Sequence, residues 1–106
     1  MGARRILVAN ELASYRQALA IVLRDLRPHV EVFETPSECL DEEIARIGPD
    51  LVICSRVTNT VKQRVVNWVE LYPNCKPYST FYIDGRRRAK RDVQLSALLD
   101  LCASPQ

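Results

Sequence analysis

Three polar residues stand where chemistry could occur. Asn10 and Glu11 follow the apolar run Arg5-Ile6-Leu7-Val8-Ala9, and Ser55 follows Leu51-Val52-Ile53-Cys54. Each run reads as a short buried strand. In open α/β sheets, ligands bind and reactions run at the C-terminal ends of such strands. Ser55 brings a hydroxyl, Glu11 a carboxylate and Asn10 an amide. A serine becomes a nucleophile only with a general base within hydrogen-bond reach. The one histidine, His29, lies beside Pro28 in a loop and not near this strand. Glu11 is then the only candidate base. A hard cation such as Mg²⁺ wants several carboxylates, and the trio supplies one. No enzyme, metal or cofactor is expected; a strand-end hydroxyl and a helix cap account for Ser55 and Asn10.

The elements that hold these residues follow from periodicity and punctuation. Asn10 can cap a helix over about 11–26, with Leu12, Leu19, Leu23 and Leu26 as its stripe, widened by Ala18 and Val22; Arg16, Gln17, Arg24 and Asp25 fall mostly opposite. Pro28 ends it. Val30-Glu31-Val32-Phe33-Glu34 alternates like a half-covered strand. Thr35-Pro36-Ser37-Glu38 has the form of a capping box, and Leu40, Ile44 and Ile47 line the helix it would open. Gly48 stops that helix, and Pro49 prevents its continuation. Thr58 or Asn59 can cap a third helix carrying Val61, Val65, Trp68, Val69 and Tyr72. After a loop from Pro73 to Pro77, Tyr78-Ser79-Thr80-Phe81-Tyr82-Ile83 reads as an exposed edge strand. Asp84-Gly85 is a turn, and a last helix runs from about Ala89 to Leu101. Alternatively, Asp84-Gly85 joins a β-hairpin with Arg86 to Arg91 as return strand; poor β-formers and lack of alternation there favour the helix. Strict β-α alternation implies a parallel sheet with right-handed crossovers.

The 106 residues suffice for one domain, 1–106, with one core. An apolar share of 47% suits a folded chain, and no apolar run is long enough to span a bilayer. Met1 to Arg5 leads straight into a strand pattern, so no signal peptide is expected. Cys39, Cys54, Cys75 and Cys102 are far apart with no CxxC pair, which argues for reduced, buried thiols and a cytoplasmic location. Net charge is +2, but Arg86, Arg87, Arg88, Lys90 and Arg91 hold five of the fifteen basic residues, leaving ten basic against thirteen acidic elsewhere.

Arg5 to Glu11, followed by a helix with Arg16 and Leu19, resembles the opening of a response-regulator receiver domain. Glu34 to Leu40 resembles the receivers' second strand and second-helix start, and Pro49 to Ser55 resembles the strand that ends in their phosphoacceptor aspartate. The likeness covers about residues 4–56 and rests on order and spacing. It implies an α/β, flavodoxin-like three-layer sandwich with a four-stranded parallel sheet of order 2-1-3-4, missing the family's fourth helix and fifth strand. It puts Asn10 and Glu11 at the two acidic Mg²⁺ positions, Ser55 at the phosphoacceptor and Tyr82 near the switch hydroxyl; the family's lysine has no match. The implied function is a degenerate receiver-like module of two-component signalling, acting by phosphorylation-independent protein contact or dimerisation.

Such a shortened sheet would leave the Tyr78–Ile83 strand open. Tyr78, Phe81, Tyr82, Leu98 and Leu101 are then the expected interaction surface, and a homodimer or a protein completing the sheet the expected partner. The competing reading is nucleic-acid association through Arg86 to Arg91, with no aromatic residues interleaved in that run to favour single strands. Trp68, Tyr72, Tyr78 and Tyr82 could stack on a ligand, although aromatics beside a core are ordinarily part of it. No membrane partner is expected.

Overall fold

Apolar runs bounded by turn residues build the centre of the molecule. The computed structural model describes residues 4–73 and 76–102; Met1 to Ala3 and Cys75, both read above, lie outside them. Strands β1 (Arg5–Ala9), β2 (Glu31–Glu34), β3 (Leu51–Cys54) and β4 (Asn67–Glu70) run parallel. Strands β5 (Tyr78–Ile83) and β6 (Arg86–Arg91) extend the sheet antiparallel, in the order β2-β1-β3-β4-β5-β6. The fold is α/β, but its sheet is mixed and six-stranded, where four parallel strands were expected.

Helices cover both faces. Helix α1 (Ala13–Leu26) and helix α4 (Leu95–Cys102) pack on one side, where Ile6, Val8, Leu51, Ile53, Val69 and Phe81 meet Leu19, Leu23 and Leu98. Helix α2 (Leu40–Ile47) and helix α3 (Asn59–Arg64) pack on the other, where Leu7, Ala9, Val52, Cys54 and Trp68 meet Leu40, Ile44 and Val61. Consecutive residues 6–9 of β1 and 51–54 of β3 belong to opposite clusters, which is why both stretches are apolar throughout. No helix among the described residues is long and apolar enough to cross a membrane.

Two segments depart from the sequence reading. Val65, Trp68, Val69 and Tyr72 do not continue a helix. Helix α3 ends at Arg64, and Trp68 and Val69 point into opposite clusters from β4. β-branched residues at 65, 66 and 69 fit a strand better than a helix, and their helical spacing is coincidental. Thr58 does cap α3, its Oγ1 accepting from the Val61 N–H at 3.2 Å. The second departure is the hairpin. Asp84 and Gly85 have φ of 53° and 80°, the two positive values a two-residue type I′ turn demands. Ile83 faces Arg86 and Tyr78 faces Arg91, so the basic run is a strand and the last helix begins only at Leu95. Turn chemistry decided the pairing against the poor strand propensity of the arginines. Tyr78–Ile83 is therefore covered on both sides, by β4 and β6, and is not the open edge expected.

Smaller corrections concern caps and stripes. Asn10 does not cap α1: the helix starts at Ala13 with Leu12 at the N-cap position and no side-chain cap. Leu12 is 66% exposed, and Leu26 and Ala18 are also exposed, so the buried face of α1 is Leu19, Ala20 and Leu23. The Thr35–Glu38 box does not form either. The Thr35 N–H is still held by the Val8 carbonyl at 3.0 Å, and a short 3₁₀ turn at Ser37–Cys39 leads into α2. Gly48, with φ of 65°, ends α2 in the left-handed conformation as expected, its N–H bonding the Ile44 carbonyl.

Candidate functional site

Parallel pairing of β1 with β3 sets Ala9 opposite Cys54, so the residues just beyond, Asn10 and Ser55, emerge together at the C-terminal edge of the sheet. The Glu11 N–H donates to the Ser55 Oγ at 2.9 Å. Asn10 is 3% exposed and Ser55 8% exposed. The Asn10 carbonyl accepts from Arg16 Nη1 at 2.9 Å, while its side-chain Oδ1 is buried without a partner among the described residues. Arg16 thus folds inward, against the expectation that it faces solvent. Its Nε lies 3.9 Å from Glu34 Oε1, and Arg24 Nη1 lies 3.8 Å from Glu34 Oε2.

The pocket over this edge has a volume of about 150 Å³. Asn10, Glu11 and Ser55 line it together with Leu12, Tyr15, Leu71 and Tyr72. Leu12, Tyr15 and Leu71 escaped the sequence reading as wall residues, and Tyr72 figured there only as a ring that could stack on a ligand. Tyr72 arrives through a backbone kink of φ 46°, its N–H bonded to Ser79 Oγ at 2.9 Å and its hydroxyl donating to the Val93 carbonyl at 3.2 Å. Burial raises the Tyr15 phenol above its ordinary pKa, with a further push from Tyr72, so it stays neutral.

Chemically the pocket is sparse. The one hydrogen bond of the Ser55 hydroxyl among the described residues is with a backbone N–H, and no basic side chain activates it. Beside it, burial and then the charge of Glu70 push the Cys54 thiol up to about 12, which removes it as a thiolate nucleophile. The Glu70 carboxylate itself accepts from the Val57 N–H at 2.9 Å. Among the described residues no three His, Cys, Asp or Glu side chains are grouped to hold a metal ion.

Tyr82 does not join this pocket. It faces Trp68 in the register of β4 and β5, with ring centroids 5.2 Å apart in a stacked arrangement. It lines a separate cleft of about 410 Å³ with Lys62, Trp68 and Arg87. The residue-by-residue transfer failed here because the fourth parallel strand is Asn67–Glu70, not Tyr78–Ile83. Of the expected interaction surface, Phe81 at 5% and Leu98 at 2% exposure are core residues, joined by half-buried Leu101; Tyr78 alone is well exposed.

The basic segment is the most exposed element of the molecule. All six residues of β6 are exposed, and none of Arg86, Arg87, Arg88, Lys90 or Arg91 forms a salt bridge among the described residues. Strand alternation divides them. Arg86, Arg88 and Lys90 share a groove of about 480 Å³ with Phe81, Ile83, Asp84 and Leu101, on the side of α4. Arg87 and Arg91 stand opposite Tyr82 and Tyr78 on the other face. Comparison with family models, with curated proteins and with solved structures finds no match to this chain.

Proposed function

We propose that this chain is a degenerate receiver-like module that works by contact and not by phosphotransfer. The parallel order 2-1-3-4 over residues 5–70, with α1 on one face and α2 and α3 on the other, supports the receiver-like reading. The observation that carries the non-catalytic part is the bond from the Glu11 N–H to Ser55 Oγ. At the position of a phosphoacceptor carboxylate stands a hydroxyl engaged by backbone, and beside it an uncharged amide, Asn10. One carboxylate, Glu11, cannot neutralise Mg²⁺ or orient an acyl phosphate. A reducing, cytoplasmic setting belongs to this reading and is supported by the unpaired thiols of Cys39, Cys54 and Cys102. Adding beryllofluoride with Mg²⁺ is expected to leave the amide NMR signals of Asn10, Glu11 and Ser55 unmoved. A saturable shift confined to those three would overturn the proposal.

A second reading concerns what is contacted, and β6 favours it. Five exposed cations without ion pairs among the described residues, on one edge strand, form the footprint of an anionic polymer such as nucleic acid. The receiver-like sheet would then serve as the scaffold that holds the basic hairpin rigid.

A further inference from the structure

The hairpin face turned away from α4 has a composition that the sequence conceals. Along the chain, the basic run contains no aromatic residue. Across the strands it does. Arg87 is paired with Tyr82, Ala89 with Thr80 and Arg91 with Tyr78, and directly opposed residues of antiparallel strands project to the same face. Two tyrosine–arginine pairs therefore stand at either end of a low floor made by Thr80 and Ala89. Four residue steps along a strand separate them by about 13 Å. The face is open: Tyr78, Arg87, Ala89 and Arg91 are exposed, and Thr80 and Tyr82 half-buried.

Charge and aromatic surface converge there. Lys62 lines the cleft at the Tyr82 end with Trp68 and Arg87. Lys76 Nζ lies 5.9 Å from the Tyr78 ring centroid at the other end. Against these four cations, the carboxylate opposite Thr80 is Glu70, which is occupied by the Val57 N–H. Tyr82 already stacks on the buried Trp68 across the β4–β5 pairing, so the ring face on the Arg87 side is the one left for a second ring. The groove on the other side of β6 lacks these features. Its ring, Phe81, is buried, with Lys90 Nζ 5.0 Å from its centroid, and Asp84 stands among its cations.

We propose that this open face binds single-stranded nucleic acid, with one base stacked on the face of Tyr82 turned away from Trp68 and the backbone phosphates on Arg87, Arg91, Lys62 and Lys76. The inference rests on the polyanion reading of β6 and adds to it the preference for unpaired strands. A ring can stack only on a base that is not already enclosed in a duplex, whereas phosphate contacts are made with either form.

Trp68 is the only tryptophan in the chain, so its fluorescence reports this site directly. The test titrates the full chain with oligo-dT, with oligo-U and with a DNA duplex of equal length, at low salt. Both single strands should change Trp68 emission and bind more tightly than the duplex; a difference between them would tell DNA from RNA preference. Tyr82→Leu should weaken single-strand binding by roughly 5- to 150-fold, the range of one lost base stack, and leave duplex binding unchanged. Tyr82→Phe keeps the ring and should restore binding, which separates stacking from damage to the fold. Equal affinity for duplex and single strand, with no effect of Tyr82→Leu, would overturn the stacking site while leaving the basic-strand reading intact. Absence of binding to all three oligonucleotides would overturn both.

Discussion

Neutralising Arg87 and Arg91 should change the salt dependence of binding, whereas neutralising Arg86 and Arg88 should not. These pairs lie on the same strand and are all exposed. Only their faces differ, Arg87 and Arg91 opposing Tyr82 and Tyr78, Arg86 and Arg88 opposing Ile83 and Phe81. Four cations on the open face, each neutralising one phosphate, give a log–log salt slope of about −2.8 for a single strand. Affinity then falls about 50-fold between 50 and 200 mM salt. Arg87→Gln with Arg91→Gln leaves two such contacts, a slope of about −1.4 and a fall of about 7-fold over the same range. Arg86→Gln with Arg88→Gln should hold the slope near its original value. Because these residues form no ion pairs among the described residues, each double variant should change stability by no more than about 0.5 kcal/mol per site. Fluorescence anisotropy of a labelled oligonucleotide at four salt concentrations measures all three slopes. A common slope for all three proteins, or a larger change from the 86/88 pair, would refute the assignment of phosphate contacts to the open face.

Two further outcomes follow from the pocket and the thiols. Asn10→Asp combined with Ser55→Asp sets three carboxylates at one nearly buried edge; without metal this should cost about 2–4 kcal/mol, and Mg²⁺ at a hundredfold excess over its Kd should return about 2.7 kcal/mol. Differential scanning calorimetry in EDTA and in Mg²⁺ checks this, and a variant blind to Mg²⁺ would show that the receiver positions were wrongly transferred. Burial pushes the Cys54 thiol up to about 12 and the Cys102 thiol up to about 11, from an ordinary 9.0. Both should resist iodoacetamide at pH 8 while the partly exposed Cys39 reacts, as site-resolved mass spectrometry would show. A raised folded-state pKa means that the protonated thiol favours the fold. That contribution is whole below pH 9 and is lost between pH 9 and about 12, at about 1.4 kcal/mol per pH unit for Cys54; Cys54→Ala should flatten the alkaline decline in stability.

Local signals were legible where they agreed with one another. β1 and β3 could be read because each is a continuous apolar run followed by a polar residue, and their pairing then fixed the meeting of Asn10, Glu11 and Ser55. The end of α2 could be read from Gly48 and Pro49. Reading failed where one pattern had two physical meanings. Val61, Val65, Trp68, Val69 and Tyr72 satisfy a helical spacing, yet Trp68 and Val69 each bury on a different face of the sheet, which only a strand between two helical layers permits. At Arg86–Arg91 the arginines argue against a strand and Asp84-Gly85 argues for a hairpin; backbone sterics at the turn outweighed side-chain propensity. The pocket walls at Leu71 and Tyr72 follow the misread segment after Arg64, whereas Tyr15 lies on α1 outside the buried stripe that periodicity marks. Arg16 is six residues from Asn10, a spacing that carries no periodic information.

The hairpin also changes which partners the sheet edge can accept. With β5 enclosed, the expected self-association through an open apolar strand loses its basis. The new edge is β6, where two copies meeting strand to strand would oppose five cations with five. Each such contact costs about 1 kcal/mol at 4 Å even in water, the arrangement by which edge strands avoid pairing with themselves. The opposite edge of the sheet, β2, is acidic through Glu31 and Glu34, and could in principle receive a neighbour's β6 head to tail. Its carboxylates are already engaged: Arg5 Nε lies 3.2 Å from Glu31, and Arg16 and Arg24 flank Glu34. Pairing β2 with a neighbour's β6 would exchange ion pairs within the chain for ion pairs between chains and gain little. Neither edge of the sheet therefore favours strand pairing with a second copy, which agrees with the polyanion proposed as the partner of β6.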